Sequence, residues 1–316
     1  LYDKGAPPRT PEARQAFSRW AVAAAKHFSN RGVLWEVYNE PNHDMFWPPQ
    51  ANAREYVELA LAVGRAFRSD VPSEKLVGPA VSEMDFAFLE TCFKAGLLDY
   101  WSAVTVHPYL RSDPEEAAVE YCRLRRMIER YRTARGSERV EIPIISGEWG
   151  YSTAWRGMSE EKQGVMLARE MLTNLANGIP ISIWYDWRDD GVEPNEPEHH
   201  FGLVRNEYQQ GRAQAFEPKP SYLAAKTLSA TFEGYTYQRR LPLGSDSDYV
   251  LVFSKGDELS FAAWTTSTSA HRVVVPIKEG NFRITKHTGE SAGSISSGPQ
   301  GLELTVAAAP LYLTRQ

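Results

Sequence analysis

Short apolar runs alternate with helical stretches through the first two thirds of the chain, and this alternation constrains the fold more than any other feature. Thr10 and Pro11 supply an N-cap and a first-turn proline, and Phe17, Trp20, Ala21, Ala24 and Phe28 give the helix that follows one apolar face. Asn30-Arg31-Gly32 closes it before an extended run, Val33 to Tyr38. The same order then repeats: helix from Ala53 to Phe67, strand from Lys75 to Val81, helix from Phe86 to Ala95, strand from Ala103 to His107. A charged helix from Pro114 to Arg135, a strand from Ile142 to Gly147, a helix from Glu160 to Ala176, a strand from Ile179 to Tyr185 and a helix from Ser221 to Ser229 complete it. Strands separated by helices at this spacing pair in parallel through βαβ crossovers. The predicted class is therefore α/β.

From Gly234 the texture changes. Short alternating or apolar runs (Tyr249 to Phe253, Leu259 to Trp264, His271 to Val275, Leu302 to Val306) are broken by Gly, Ser and Asp turns, which predicts an antiparallel all-β module. The expected domains are 1–233 and 234–316, and Ser291 to Gly298 reads as a Ser/Gly loop.

Charge and cysteine content exclude several partners. There are 35 basic and 40 acidic residues, net charge -5, with no Lys/Arg cluster suited to phosphates, so nucleic acid is not expected. No apolar run approaches membrane-spanning length and no signal pattern opens the sequence, so a membrane is not expected and the cell address is unwritten. Cys92 and Cys122, the only two cysteines, read as small buried thiols.

Two glutamates carry the chemistry. Glu40 ends the run Leu34-Trp35-Glu36-Val37-Tyr38-Asn39, and Glu148 ends Ile144-Ile145-Ser146-Gly147. Asn195-Glu196-Pro197 repeats the letters of Asn39-Glu40-Pro41 inside a polar loop with no strand before it, so context rather than the tripeptide marks Glu40. Carboxylates at the C-terminal ends of parallel strands meet at one face of a barrel, where its active sites lie. A pair of them suits glycoside hydrolysis, in which one protonates the leaving oxygen while the other attacks or activates water. Several of the 9 tryptophans (Trp35, Trp47, Trp149, Trp155, Trp184, Trp187) fall at strand ends or just beyond, where an indole can stack on a sugar face. His199 and His200 near Asp186, Asp189 and Asp190 lack metal-ligand spacing, so no metal and no other cofactor is expected.

Five ordered blocks, Trp35 to Trp47 (WEVYNEPNHDMFW), Val77-Gly78-Pro79-Ala80, Val106-His107-Pro108-Tyr109, Ser146-Gly147-Glu148-Trp149 and Ile183-Trp184-Tyr185-Asp186-Trp187, resemble strands four to eight of clan A retaining glycoside hydrolases. Family 39 and its exopolysaccharide-hydrolase-like relatives are the nearest match. The resemblance implies a (β/α)8 TIM-barrel-type catalytic domain followed by an antiparallel β-sandwich. It implies Glu40 as general acid/base, Glu148 as nucleophile, Asn39 on the sugar 2-hydroxyl, and His107 and Tyr109 orienting the nucleophile and sugar. Trp184 or Trp187 would floor the subsite with Trp149 nearby, while His43 and Trp47 either line the aglycone side or shape their loop. Only 38 residues precede Asn39, so Tyr2 and Asp3 would end strand three, and the barrel is expected to be N-terminally incomplete. A homo-oligomer covering the open edge is then expected, because bare sheet edges are sticky. The substrate would be an oligo- or polysaccharide or a small glycoside. A carbohydrate-binding or scaffold protein with a degenerate site is the alternative.

Overall fold

A computed structural model describes residues 6–132, 141–206, 215–277 and 279–316. Contacts divide the chain into two compact units, the first comprising the chain up to Leu110, Ala117–Trp149 and Ile179–Ile183, the second Arg111–Glu116, Gly150–Gly178 and Trp184–Gln316.

The first unit is built in the predicted order. Helix α1 (Pro11–His27) starts where the Thr10 hydroxyl accepts the Ala13 N–H, as its sequence requires. It leads to the short strand β1 (Leu34–Glu36), helix α2 (Ala53–Asp70) and strand β2 (Lys75–Ser82). Helix α3 (Phe86–Lys94), strand β3 (Trp101–His107), helix α4 (Ala117–Tyr131) and strand β4 (Ile144–Trp149) follow. The helix was predicted to run to Arg135, which lies outside the described residues, as do Tyr2 and Asp3.

Strand pairing confirms the crossovers: β1 to β2, β2 to β3 and β3 to β4 are all parallel. With β5 (Ser182–Trp184) next in order, they form a curled five-stranded half-barrel sheet. Strands β2 and β3 are buried along nearly their whole length, as parallel strands covered on both faces must be. Helix α2 closes one face with Tyr56, Leu59, Ala60, Val63 and Phe67, and each large side chain so buried contributes roughly 1.5–3 kcal/mol. Cys92 is buried on α3, but Cys122 is exposed, which corrects the expectation of two buried thiols. Tyr121, Leu124 and Ile128 define the inward stripe of α4, and Cys122 falls one position off it.

In the second unit, helices α5 (Glu160–Ala176) and α6 (Pro220–Thr231) precede strands β6 (Thr236–Arg240), β7 (Asp248–Lys255), β8 (Glu258–Thr265), β9 (His271–Val275), β10 (Asn281–Lys286), β11 (Ser291–Ser296), β12 (Leu302–Val306) and β13 (Leu311–Arg315). A six-stranded sheet takes the order β11-β10-β13-β8-β7-β6, and β12 pairs with β9. Every described pairing among strands β6 to β13 is antiparallel. Val250, Val252, Phe261, Phe282 and Leu313 share one core with Val273, Val275, Leu302, Leu304 and Val306 of the two-stranded sheet. Leu172 of α5, Leu228 of α6 and Phe232, which caps α6, pack with Leu251, Phe253, Trp264 and Tyr312. The segment read as a Ser/Gly loop is instead strand β11 at the sheet edge. Its pairing with β10 comes from backbone groups, so Ser and Gly side chains suffice there.

Glu170 on α5 is fully buried, and neither carboxyl oxygen has a hydrogen-bond partner among the described residues. Burial pushes its pKa well above the usual 4.5, so the folded chain keeps a proton that the unfolded chain releases. Its stabilising contribution is therefore present below the unfolded pKa and lost as pH rises toward the folded one, with a slope of up to about 1.4 kcal/mol per pH unit. Glu170→Gln should gain stability over the native protein progressively from pH 5 to pH 8. Urea titrations across that range will show it; parallel pH profiles for the two proteins would contradict it.

Candidate active site

Beyond β1 the backbone turns through residues that seldom take positive φ: Tyr38 at 73° and Glu40 at 41°. The Glu40 N–H donates to the Ala80 carbonyl at 3.0 Å, and the Ala80 N–H donates to Thr105 Oγ1 at 2.8 Å. Ala80 (56°) and Tyr109 (38°) are themselves in the left-handed region. Such conformations cost about 1–3 kcal/mol each and persist where the surroundings impose them, commonly at functional sites. Here they gather at the C-terminal ends of adjacent parallel strands.

The side chains converge at the same place. Glu40 is 7% exposed and His107 1%, and His107 Nδ1 hydrogen-bonds Glu40 Oε1 at 2.9 Å. Glu148, near the end of β4, places Oε2 at 4.0 Å from the same nitrogen. The Tyr109 hydroxyl donates to Glu148 Oε1 at 2.6 Å. One carboxylate oxygen from each glutamate and the imidazole nitrogen all lie within 4.8 Å of one another. A Cβ at Gly147 would sit in ordinary van der Waals contact with the His107 ring at 3.4 Å and with Glu36 Oε1 at 3.5 Å. Tyr109 thus bonds Glu148, and His107 bonds Glu40. Two adjacent carboxyl groups, each held by a different partner, can give and take one proton while attacking one electrophilic carbon.

The loop from Glu40 to Ala51 is pinned at several points. Asn42 accepts from the Ser82 N–H at 2.8 Å and donates to the Ser82 carbonyl at 3.0 Å. Trp47 is fully buried, donates to Glu55 Oε2 at 2.9 Å and packs edge-on against Tyr38 and Tyr56. Trp149 is likewise fully buried. Trp149 was expected beside the sugar, and its burial corrects that, because an indole with no exposed face cannot stack on a ligand; of the two roles expected for Trp47, burial fits shaping the loop and not lining the aglycone side. Asn39 and His43 are exposed, and His43 Nδ1 accepts the Met45 N–H at 3.2 Å. Met45 and Phe46, 74% and 37% exposed, escaped the sequence reading although two apolar letters in a polar loop signalled them.

Trp184 and Trp187 belong to the second unit. There Trp184 Nε1 donates to the Phe201 carbonyl at 3.1 Å, and Trp187, 61% exposed, lies edge-on to Tyr222. Between them Asp186 has its pKa pushed up to about 7 by burial, aided by Asp190 and Asp189. The repeated Asn195-Glu196-Pro197 opens only a short helical turn, with the Glu196 side chain accepting from the Glu198 N–H. His199 Nδ1 accepts from the Glu193 N–H and His200 Nε2 bonds the Glu193 carbonyl, so this pair is occupied in shaping its loop. Among the described residues, the group whose spacing would admit a metal ion is Glu40, His107 and Glu148. Within that group His107 is hydrogen-bonded to Glu40, while Glu148 is bonded by Tyr109.

No family model matches the chain. A beta-xylosidase of Geobacillus stearothermophilus is 30% identical over 281 residues, covering 78% of this chain and 52% of its own. This chain thus spans about half the length of that curated relative. The solved structure of a family 39 glycoside hydrolase from Bacteroides cellulosilyticus WH2 is 25% identical with a TM-score of 0.80, covering 100% of this chain and 65% of its own. A family 30 endoxylanase from Clostridium papyrosolvens C71 shares the fold at 12% identity, with a TM-score of 0.64, 97% of this chain and 72% of its own. The resemblance read from the sequence is found again in both comparisons: the chain is similar to a beta-xylosidase and to a family 39 glycoside hydrolase, and it shares its fold with a family 30 endoxylanase.

Proposed function

We propose that this relative of family 39 enzymes is itself a retaining O-glycoside hydrolase, acting on β-linked glycosides by double displacement between Glu40 and Glu148. The observation that carries the reading is that one carboxylate oxygen of Glu40 and one of Glu148 lie within 4.8 Å of each other. Retaining enzymes hold their carboxyl groups about 5–5.5 Å apart, whereas inverting enzymes need about 6.5–9.5 Å to fit a water between them.

In the first step Glu148 attacks the anomeric carbon, and the proton on Glu40 passes to the leaving oxygen as the glycosidic bond breaks. In the second, Glu40 takes a proton from water, whose oxygen displaces the Glu148 ester. The bond from His107 to Glu40 Oε1 fixes one carboxyl oxygen and so defines the other as the proton carrier. The short Tyr109 bond fixes the plane of the nucleophile. Asn39, exposed beside Glu40, is assigned to the sugar 2-hydroxyl, and Trp187 offers an exposed indole face suited to sugar stacking. The proposed domains remain 1–233, an incomplete TIM-barrel type, and 234–316, a β-sandwich. Leu34 of β1 and Ile183 of β5, on the two edge strands of the sheet, are exposed, and burial of these apolar side chains in a homo-oligomer is proposed. The mass of the particle in solution tests this last point.

The beta-xylosidase and endoxylanase relatives point to β-xylosides as the first substrates to try. Hydrolysis of a nitrophenyl β-xyloside followed by proton NMR should show the β-anomer of the sugar before mutarotation. First appearance of the α-anomer would overturn retention; sugar binding without turnover would instead make the protein a carbohydrate-binding module.

A further inference from the structure

The loop that follows Glu40 displays apolar side chains that neither the core nor the carboxylate pair uses. It is tightly constructed: the His43 N–H donates to the Glu40 carbonyl at 2.9 Å, and the Phe46 and Trp47 N–H groups donate to the His43 carbonyl at 3.0 and 2.9 Å. The Asp44 carboxylate accepts the Ala51 N–H at 2.8 Å and closes the loop, while buried Trp47 plugs it into the unit. What this frame holds out is Met45, 74% exposed, and Phe46, 37% exposed, with the Phe46 and His43 rings 6.0 Å apart. A loop anchored at four points does not expose a methionine and a phenylalanine for want of somewhere to fold them. Adjacent exposed apolar side chains on a fixed frame offer an apolar surface to a ligand.

Its place in the chain says which part of the substrate it meets. Glu40 gives its proton to the oxygen of the leaving group, so chain that turns directly out of Glu40 borders the leaving group and not the sugar ring held by Glu148. The chemistry on offer is apolar. His43 Nδ1 is already taken by the Met45 N–H, whereas a second sugar would ask for several hydrogen-bonding partners for its hydroxyls. Methionine adds a polarisable thioether that adapts to aromatic rings. We propose that Met45 and Phe46, with the His43 ring beside them, form a leaving-group platform selecting glycosides of aryl or alkyl alcohols. This rests on the hydrolase reading above and deepens it.

The test compares a phenyl glycoside, a methyl glycoside and a disaccharide of the same sugar. In Met45→Ser/Phe46→Ser the ratio of kcat/KM for the phenyl over the methyl substrate should fall about tenfold. Met45→Ser alone, at a side chain too exposed to matter for folding, should move the ratio the same way by a smaller factor. Val119→Ser, an equally exposed apolar residue on α4, should leave the ratio where it was. An unaltered ratio in the double variant overturns the platform, and a disaccharide that loses as much as the phenyl substrate overturns its apolar selectivity. Calorimetry with phenyl and methyl 1-thio-glycosides, which are not cleaved, reads the same ratio as relative affinity. Absence of hydrolysis would therefore defeat the function proposed above without touching this test, and equal losses of affinity for both thioglycosides would defeat the platform alone.

Discussion

Glu148→Ala will lower kcat/KM on an aryl β-glycoside by a factor on the order of 10⁴ to 10⁶, the scale seen when a covalent nucleophile is removed. Sodium azide will restore part of the turnover, because alanine leaves room for a small anion where the carboxylate stood. Azide then attacks from the face Glu148 occupied and inverts the anomeric carbon, so the product is the α-glycosyl azide. The geometry supports this outcome through Tyr109, whose 2.6 Å bond to Glu148 Oε1 holds the carboxylate in one plane beside Glu40. A loss of less than tenfold, or rescue yielding the β-azide, would assign the attack to another group.

Glu40→Gln is the second large effect, and its size will depend on the substrate. General acid catalysis is worth about 10²–10⁴ when the departing oxygen needs a proton and much less when it leaves easily. Alkyl glycosides and disaccharides should lose the full factor in their first step, and a dinitrophenyl glycoside little of it. For the activated substrate the second step, which also needs Glu40 as a base, becomes limiting, so a burst of dinitrophenolate equal to the enzyme concentration should precede slow turnover. Uniform losses across leaving groups would contradict the acid role. The bond between His107 and Glu40 makes a further distinction: a variant lacking that imidazole should resemble Glu40→Gln in its leaving-group dependence more than Glu148→Ala.

The parts of this site that were legible in the sequence are those fixed by local pattern. An apolar run ending in an acidic residue fixes the strand and the rim position together, and both Glu40 and Glu148 are found near the ends of their strands, close to each other. Helix α1 was legible for the same reason, since Thr10 and Pro11 are local signals. What stayed hidden depends on tertiary packing. Trp47 and Trp149 occur at strand ends just as exposed aromatics do, and only the surrounding Tyr38, Tyr56 and Glu55 show that Trp47 is a plug. The partner of His107 was equally unreadable, because one strand-end imidazole can turn toward either neighbouring carboxylate. Strand β11 was missed since its pairing is made by backbone, and its side chains say only Ser and Gly. Met45 and Phe46 were passed over because exposure is not written in a sequence.

In the proposed mechanism the Glu148 carboxylate bonds covalently to the sugar while Glu40 manages the proton. Incubation with a 2-deoxy-2-fluoro β-glycoside bearing a dinitrophenyl leaving group, followed by peptide mass analysis, tests it directly. The fluorine slows both steps, and the good leaving group keeps the first one running, so the ester accumulates. A single fluoroglycosyl adduct is expected on the peptide containing Glu148, lost on prolonged incubation as water completes the second step. An adduct on any other side chain, or stoichiometric release of dinitrophenolate with no adduct at all, would contradict it.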